Sequence, residues 1–165
     1  METMRIAAAV VSAPVGEKEA NLERVAHWTE IAADRGCRLV CFPEMNITGY
    51  CNKDAMAEYA ETIPGPVSDW LLELAGETGI TILAGMAEKD AAGKLYIVHL
   101  AADPGGNLAV YRKLHLAPPE QALYTAGTGV PLFKVGRTSC GIQLCYDAHF
   151  PELTTRMALA GADVI

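Results

Sequence analysis

With 165 residues, 51% hydrophobic and 20% charged, the chain can bury one sizeable core and has no stretch long enough to cross a membrane. A net charge of −7 and a pI near 5.0 exclude the basic surfaces that bind nucleic acid or anionic lipid. Five cysteines, at 37, 41, 51, 140 and 145, are odd in number and share no short repeated spacing, which points to free thiols in a reducing, cytoplasmic setting. Without a Cys-x-x-Cys or His-x-x-x-His pair, a structural zinc site is not expected.

Taken in order, Arg5, apolar residues 6–11 and Ser12-Ala13-Pro14 mimic a signal peptide. The apolar run is short for a secretory core and acidic Glu2 precedes it, so a first strand over residues 6–12 is expected instead. Leu22, Val25, Ala26, Thr29, Ala32 and Ala33 recur at helical spacing and predict a helix over 18–35, stopped by Gly36. A short buried strand over 39–42 ends at Pro43, and residues 46–54 read as a loop. Pro66 opens a second helix, with Val67, Trp70, Leu71 and Leu74 as its apolar stripe and Gly79 as its end. Strands over 80–88, 95–102 and 108–113 follow, joined by turn chemistry at 89–93 and at Asp103-Pro104-Gly105-Gly106. A Pro-rich loop over 116–129 leads to a strand over 131–135, a turn at Gly136-Arg137 and a strand over 140–144. A helix over 151–159 stops at Gly161, and Asp163-Val164-Ile165 opens another apolar strand. The pattern is that of a single mixed α/β layered domain over residues 1–165.

Three strand ends carry reactive groups. Residues 39–42 lead into Pro43-Glu44, residues 108–112 into Lys113, and residues 140–144 into Cys145. A carboxylate, an amine and a thiol therefore converge if those ends share one edge of a sheet, the edge at which α/β folds build sites. Singly, each has a bland reading: a loop acid, a surface cation and a small buried hydrophobe.

Phe42-Pro43-Glu44, Tyr111-Arg112-Lys113-Leu114-His115-Leu116 and Leu144-Cys145-Tyr146-Asp147, in this order and at these separations, resemble the nitrilase superfamily of carbon–nitrogen hydrolases. The resemblance runs from Met4 to Ile165. It implies a four-layer αββα sandwich, homo-oligomers, and a Glu-Lys-Cys triad carried by Glu44, Lys113 and Cys145. Glu120, in Pro118-Pro119-Glu120, matches a second glutamate that positions the lysine and substrate. Relatives of this kind hydrolyse small-molecule amides, nitriles or N-carbamoyl groups without a metal or organic cofactor. The short Lys-x-His-Leu-x-Pro-Pro-Glu form of residues 113–120 resembles amidase-like branches. The implied reaction is ammonia release from a small amide or carbamoyl compound through a cysteine thioester, with a nitrilase acting on a C≡N carbon as the alternative.

The residue chemistry agrees with these roles. A free thiol is a few per cent thiolate at neutral pH, so full ionisation gains at most about 2 kcal/mol. One oxyanion donor is typically worth about 10² to 10³ in rate, so charge stabilisation outweighs thiol activation. Lys113 and the backbone N–H of Tyr146 are the expected donors, and Glu44 the expected proton carrier. Tyr50, in Thr48-Gly49-Tyr50, and His149 are expected to line the substrate pocket. His115 is read as structural, and Asp147 as capping the following helix or holding the elbow. Cys41 and Cys140 are expected to be packing and Cys51 to lie in a polar loop.

Two departures from the family pattern stand out. Ile97-Val98 follow Tyr96 where many relatives continue with small polar residues. Family members also run well past residue 165. The expectation is a sandwich left open on one side, hence a longer polypeptide or a surface covered by a second copy, with a catalytically impaired interaction module as a third reading.

Overall fold

The computed structural model describes residues 3–165; Met1 and Glu2, and with them the acidic residue ahead of the first strand, lie outside the described residues. Its elements are β1 (Ile6–Ala8), α1 (Lys18–Asp34), β2 (Leu39–Cys41), α2 (Met56–Tyr59), α3 (Pro66–Thr78), β3 (Thr81–Lys89), β4 (Leu95–Ala102), β5 (Leu108–Arg112), β6 (Phe133–Val135), β7 (Thr138–Cys140) and α4 (Pro151–Leu159). A 3-10 turn, Cys145–His149, immediately precedes α4.

Five strands form one sheet in the order β1-β2-β3-β4-β5. β1, β2 and β3 run parallel because α1 and α3 carry the chain back between them. β3, β4 and β5 are antiparallel neighbours. Their turns are laced by Asp90, whose Oδ1 accepts from Ala92 N and Lys94 N, and by Asp103, whose Oδ1 accepts from Gly105 N and Asn107 N.

Strand periodicity divides the core. Val40, Ile82, Ala84, Met86, Val98 and Leu100 meet Val25 and Ala32 of α1 and Leu71 and Leu74 of α3 on one face. Leu39, Leu83, Ala87, Ile97, Ala101 and Tyr111 turn to the other face. There they meet Val135 and Cys140 of the β6–β7 hairpin, and beyond it Leu153 and Met157 of α4. Helices, sheet, hairpin sheet and helix thus stack as α-β-β-α. Because β3 and β4 are covered on both faces, they read as nearly continuous apolar runs.

Several expected boundaries shift. β1 pairs only over Ile6–Ala8, though Ala9 N still donates to Cys41 O at 2.9 Å. The strand expected over 140–144 is displaced: the ladder is Thr138–Cys140, and residues 141–144 leave it. The register is set by the Gly136-Arg137 turn, which pairs Val135 with Thr138 and Phe133 with Cys140; on its other edge Cys140 bridges Val164 in parallel and Gly141 N donates to Val164 O at 2.8 Å. Asp163-Val164-Ile165 therefore joins the hairpin edge as that apolar sequence anticipated. α2 falls directly after the region read as loop.

Candidate active site

The site grows from the ends of β2 and β5 and from the turn before α4. After β2, Phe42 N donates to Leu83 O at 2.8 Å, and the chain folds back over β3. Gly85 N donates to Asn46 Oδ1 at 2.8 Å, Ile47 N to Gly85 O at 2.9 Å, and Gly49 N to Met45 O at 2.8 Å. Within this turn Met45 takes a φ of +54°, in the left-handed region that side chains seldom occupy. Glu44, just before it, is held at the edge of the sheet with its side chain 18% exposed.

Lys113 follows β5 and is fully buried. Its backbone N donates to Ile97 O at 2.9 Å, and its O accepts from Gly127 N at 2.8 Å. The ammonium donates to Glu44 Oε1 and to Glu120 Oε1, each at 2.8 Å. Burial works to lower the Lys113 pKa, but the two carboxylate hydrogen bonds outweigh it and the net shift is upward. Glu44 is pushed above the usual carboxylate range, first by burial, with the charges of Glu120 and Asp147 adding to it and Lys113 opposing.

Glu120 is buried and spends its lone pairs locally. Its Oε2 accepts from Ala117 N at 2.7 Å, and its Oε1 accepts from the Tyr50 hydroxyl at 2.8 Å as well as from Lys113. Tyr50 is exposed, and its hydroxyl accepts from Asn52 Nδ2 at 3.1 Å. The Tyr50 hydroxyl thus serves Glu120 while its ring faces outward. Burial is the first cause of its raised pKa.

Cys145 opens the 3-10 turn with a φ of +46° and an exposed side chain. Such strain in a non-glycine residue persists only where neighbours over-determine it. Here the neighbour is Asp147. Its carboxylate accepts from Tyr111 OH at 2.7 Å, Leu144 N at 3.1 Å and His115 N at 2.8 Å, and lies 2.9 Å from His115 Nδ1. Tyr111 and His115 flank Lys113 in sequence, so Asp147 ties the Cys145 turn to the strand end that carries the lysine. Burial, with Asp147 adding, drives the Tyr111 pKa strongly upward.

Asp147 holds the elbow, one of the two roles expected of it, and His115 is structural, stacking on Phe150 at 3.8 Å between ring centroids. His149 is exposed, its ring 5.2 Å from that of Tyr146. Cys140 is buried, Cys41 is half-buried with burial raising its pKa, and Cys51 is half-buried in its loop, its carbonyl accepting from Tyr124 OH at 2.6 Å. His99, buried on β4, was not singled out by the sequence; a lone histidine in an otherwise apolar strand was the available signal. Among the described residues no three His, Cys, Asp or Glu side chains group as metal ligands, and no helix is long and apolar enough to cross a membrane.

Comparisons with known proteins converge on one family. The carbon-nitrogen hydrolase profile matches residues 6–165. The chain is 33% identical to a nitrilase of Pyrococcus abyssi, over 98% of its own length and 63% of the relative's. It is 32% identical to the human omega-amidase NIT2, over 90% of its length and 57% of the relative's. Among solved structures, an amidase from Nesterenkonia sp. AN1 superposes with a TM-score of 0.86 at 26% identity, over 98% of this chain and 65% of that one. A cysteine-to-alanine mutant of that amidase was solved with butyramide, and another variant shows acrylamide added at its active-site cysteine. The chain spans about 57–65% of the length of these relatives. On the profile match and the shared fold, it belongs to the carbon-nitrogen hydrolase family of the nitrilase superfamily.

Proposed function

We propose that this chain carries the catalytic machinery of a thiol amidohydrolase that releases ammonia from a small amide or N-carbamoyl compound. The observation that carries the reading is a fully buried ammonium, Lys113, clamped between Glu44 and Glu120, with the strained turn of Cys145 tied through Asp147 to Tyr111 and His115 on either side of that lysine.

Cys145 Sγ attacks the carbonyl carbon while Glu44 takes the thiol proton. The developing oxyanion is held by Lys113 Nζ and the backbone N–H of Tyr146, donors already fixed before substrate arrives. Collapse breaks the C–N bond, Glu44 passes its proton to the departing nitrogen, and ammonia leaves a thioester on Cys145. Glu44, again a base, removes a proton from water as the water attacks the thioester. Acid is released and the proton returns to sulfur. The upward shift of the Glu44 pKa is in the direction that suits a group which both takes and gives a proton. Glu120 keeps Lys113 charged and aimed, and Tyr50 steadies Glu120. His149 and Tyr146 form the outer wall.

The reaction uses no metal or organic cofactor in this reading. The five free thiols suit the cytoplasm, and the family resemblance supports homo-oligomers. A nitrilase reading is kept alive by the 33% identical relative of that name. Incubation with short amides and nitriles, followed by intact-mass spectrometry and ammonia assay, tests the proposal. An acyl adduct on Cys145 with ammonia released mainly from amides supports it. No adduct, or an adduct that persists in Cys145→Ala, refutes it, and faster conversion of nitriles to acids reverses the substrate class.

A further inference from the structure

His99 is a buried titratable group that the mechanism above does not use. It sits on β4 directly across from Gly85 on β3 and Tyr111 on β5, 2% exposed, on the sheet face that carries the site. Burial alone lowers its pKa to about 4, so the ring is neutral at physiological pH and one nitrogen is a bare acceptor. Nδ1 has no hydrogen-bond partner among the described residues.

The space around it is specific. A Cβ on Gly85 would come within 2.6 Å of Met45 N and 2.8 Å of His99 Nδ1. Glycine is therefore what lets the imidazole edge and the Met45 backbone close over β3 together. Met45 N–H donates to no acceptor among the described residues, and Met45 is the residue strained to a φ of +54°. A buried donor and a buried acceptor, each without a partner, abut the same glycine directly behind Glu44. Leaving both unmatched is costly, which gives the pair a reason to meet.

We propose that His99 is a positioning residue for Glu44: its ring supports the Glu44–Met45 peptide from the sheet side, with Nδ1 as the acceptor for the Met45 N–H, and so fixes the aim of the Glu44 carboxylate at Lys113. His99 Nδ1 and the Met45 N–H make no hydrogen bond in the structure, where Glu44 already meets Lys113 at 2.8 Å, so the bond is one that forms during turnover and holds the Glu44 turn as its proton moves. Tyr111, the other register partner of His99, leads to Asp147, so the same floor residue lies between the turn bearing Glu44 and the strand tied to Cys145.

The proposal rests on Glu44 acting as the proton carrier, and two measurements separate its failure from the failure of that reading. In protein labelled with ¹⁵N-histidine, two-bond ¹H–¹⁵N spectra are expected to show His99 Nε2 protonated and Nδ1 bare. The Nδ1–H tautomer would overturn the proposal whatever the activity. In turnover of a short aliphatic amide, His99→Phe keeps ring volume but removes the acceptor, and is expected to lose about 10-fold to 100-fold in kcat. KM should change less than about threefold, with the melting temperature retained. His99→Asn, which returns an acceptor near the Nδ1 position, is expected to recover most of the loss. Equal losses in both variants, or a kcat unchanged in His99→Phe, would make His99 a packing residue and overturn the proposal. If the parent turns over no amide, the hydrolase reading fails; the tautomer and the relative rates of acrylamide addition to Cys145 in the two variants then decide the role of His99.

Discussion

Around the Lys113 ammonium, Glu44 and Glu120 share one positive charge, and the Asp147 charge is felt at Glu44 as well. Glu120 is locked by Lys113, Tyr50 and Ala117 N, which leaves Glu44, the most exposed of the three carboxylates, as the proton carrier of the proposed reaction. Because burial raises its pKa, the ionised form costs stability above the unfolded value near 4.3, and that cost grows as pH rises to the folded value. Glu44→Gln removes this cost while leaving Lys113 paired with Glu120. Its expected outcome is a loss of about 10²-fold or more in turnover with stability changed by about 1 kcal/mol or less, checked by ammonia assay and urea denaturation. His99 has the opposite sense. Unfolded, it binds a proton below about 6.5; folded, only below about 4. Between those values the unfolded chain holds more protons, so the stability His99 contributes is complete above pH 6.5 and is lost as pH falls toward 4. The loss should approach about 3 kcal/mol, and the difference between wild type and His99→Phe across that window isolates it from the titrating carboxylates.

At the scale of elements, the site is two strained turns braced against one sheet. The Cys145 turn hangs on Asp147, whose carboxylate gathers Tyr111 OH, Leu144 N and His115 N, with His115 Nδ1 also within hydrogen-bond distance. Asp147→Ala leaves buried donors without partners and should cost about 3 kcal/mol or more. Turnover should fall further than that of Asp147→Asn, which keeps part of the set. Urea midpoints and kcat for the two variants check this, and equal midpoints for wild type and Asp147→Ala would refute it. These braces also explain what could be read beforehand. The motif residues Glu44 and Lys113 lie at strand ends because Pro43 stops β2 and the ladder of β5 closes at Arg112, and local sequence carries both signals. That Lys113 is fully buried was not readable, since it depends on Glu120, seven residues on, and Glu44, sixty-nine residues back. The apolar run at 140–144 resembled a strand, but the turn at Gly136-Arg137 set which residues paired, and the further partner of Cys140 is Val164, far along the chain. α2 spans only four residues, too few for helical periodicity to register. His99 escaped notice because its significance comes from Gly85 and Met45, on two other segments.

Taken whole, the sheet is covered on both faces at β3 and β4 and opens to solvent at β1, beside the hairpin. An apolar cleft of about 460 Å³ runs between the five-stranded sheet and the hairpin, lined in part by Met4, Ile6, Leu39, Leu83, Phe133 and Ile165. β1 forms an edge of the five-stranded sheet, and Ile6 and Val164 remain 57% and 40% exposed. Apolar area left in water is unfavourable at roughly 25 cal/mol per Å², and an unpaired strand edge is a template for another chain. The 165-residue chain on its own should therefore associate rather than remain dispersed, even with a net charge of −7 opposing contact. Sedimentation velocity is expected to show species heavier than the 17.6 kDa chain, growing with concentration and with added salt as the charge is screened. Ile6→Lys, which places a charge on the edge strand and in the lining of the cleft, should shift the distribution toward monomer while leaving untouched the Lys113 cluster, none of whose residues lines it. A monodisperse species of 17.6 kDa that binds no apolar dye, and that Ile6→Lys leaves unchanged, would show that this face is closed within one copy and that association plays no part in completing the fold.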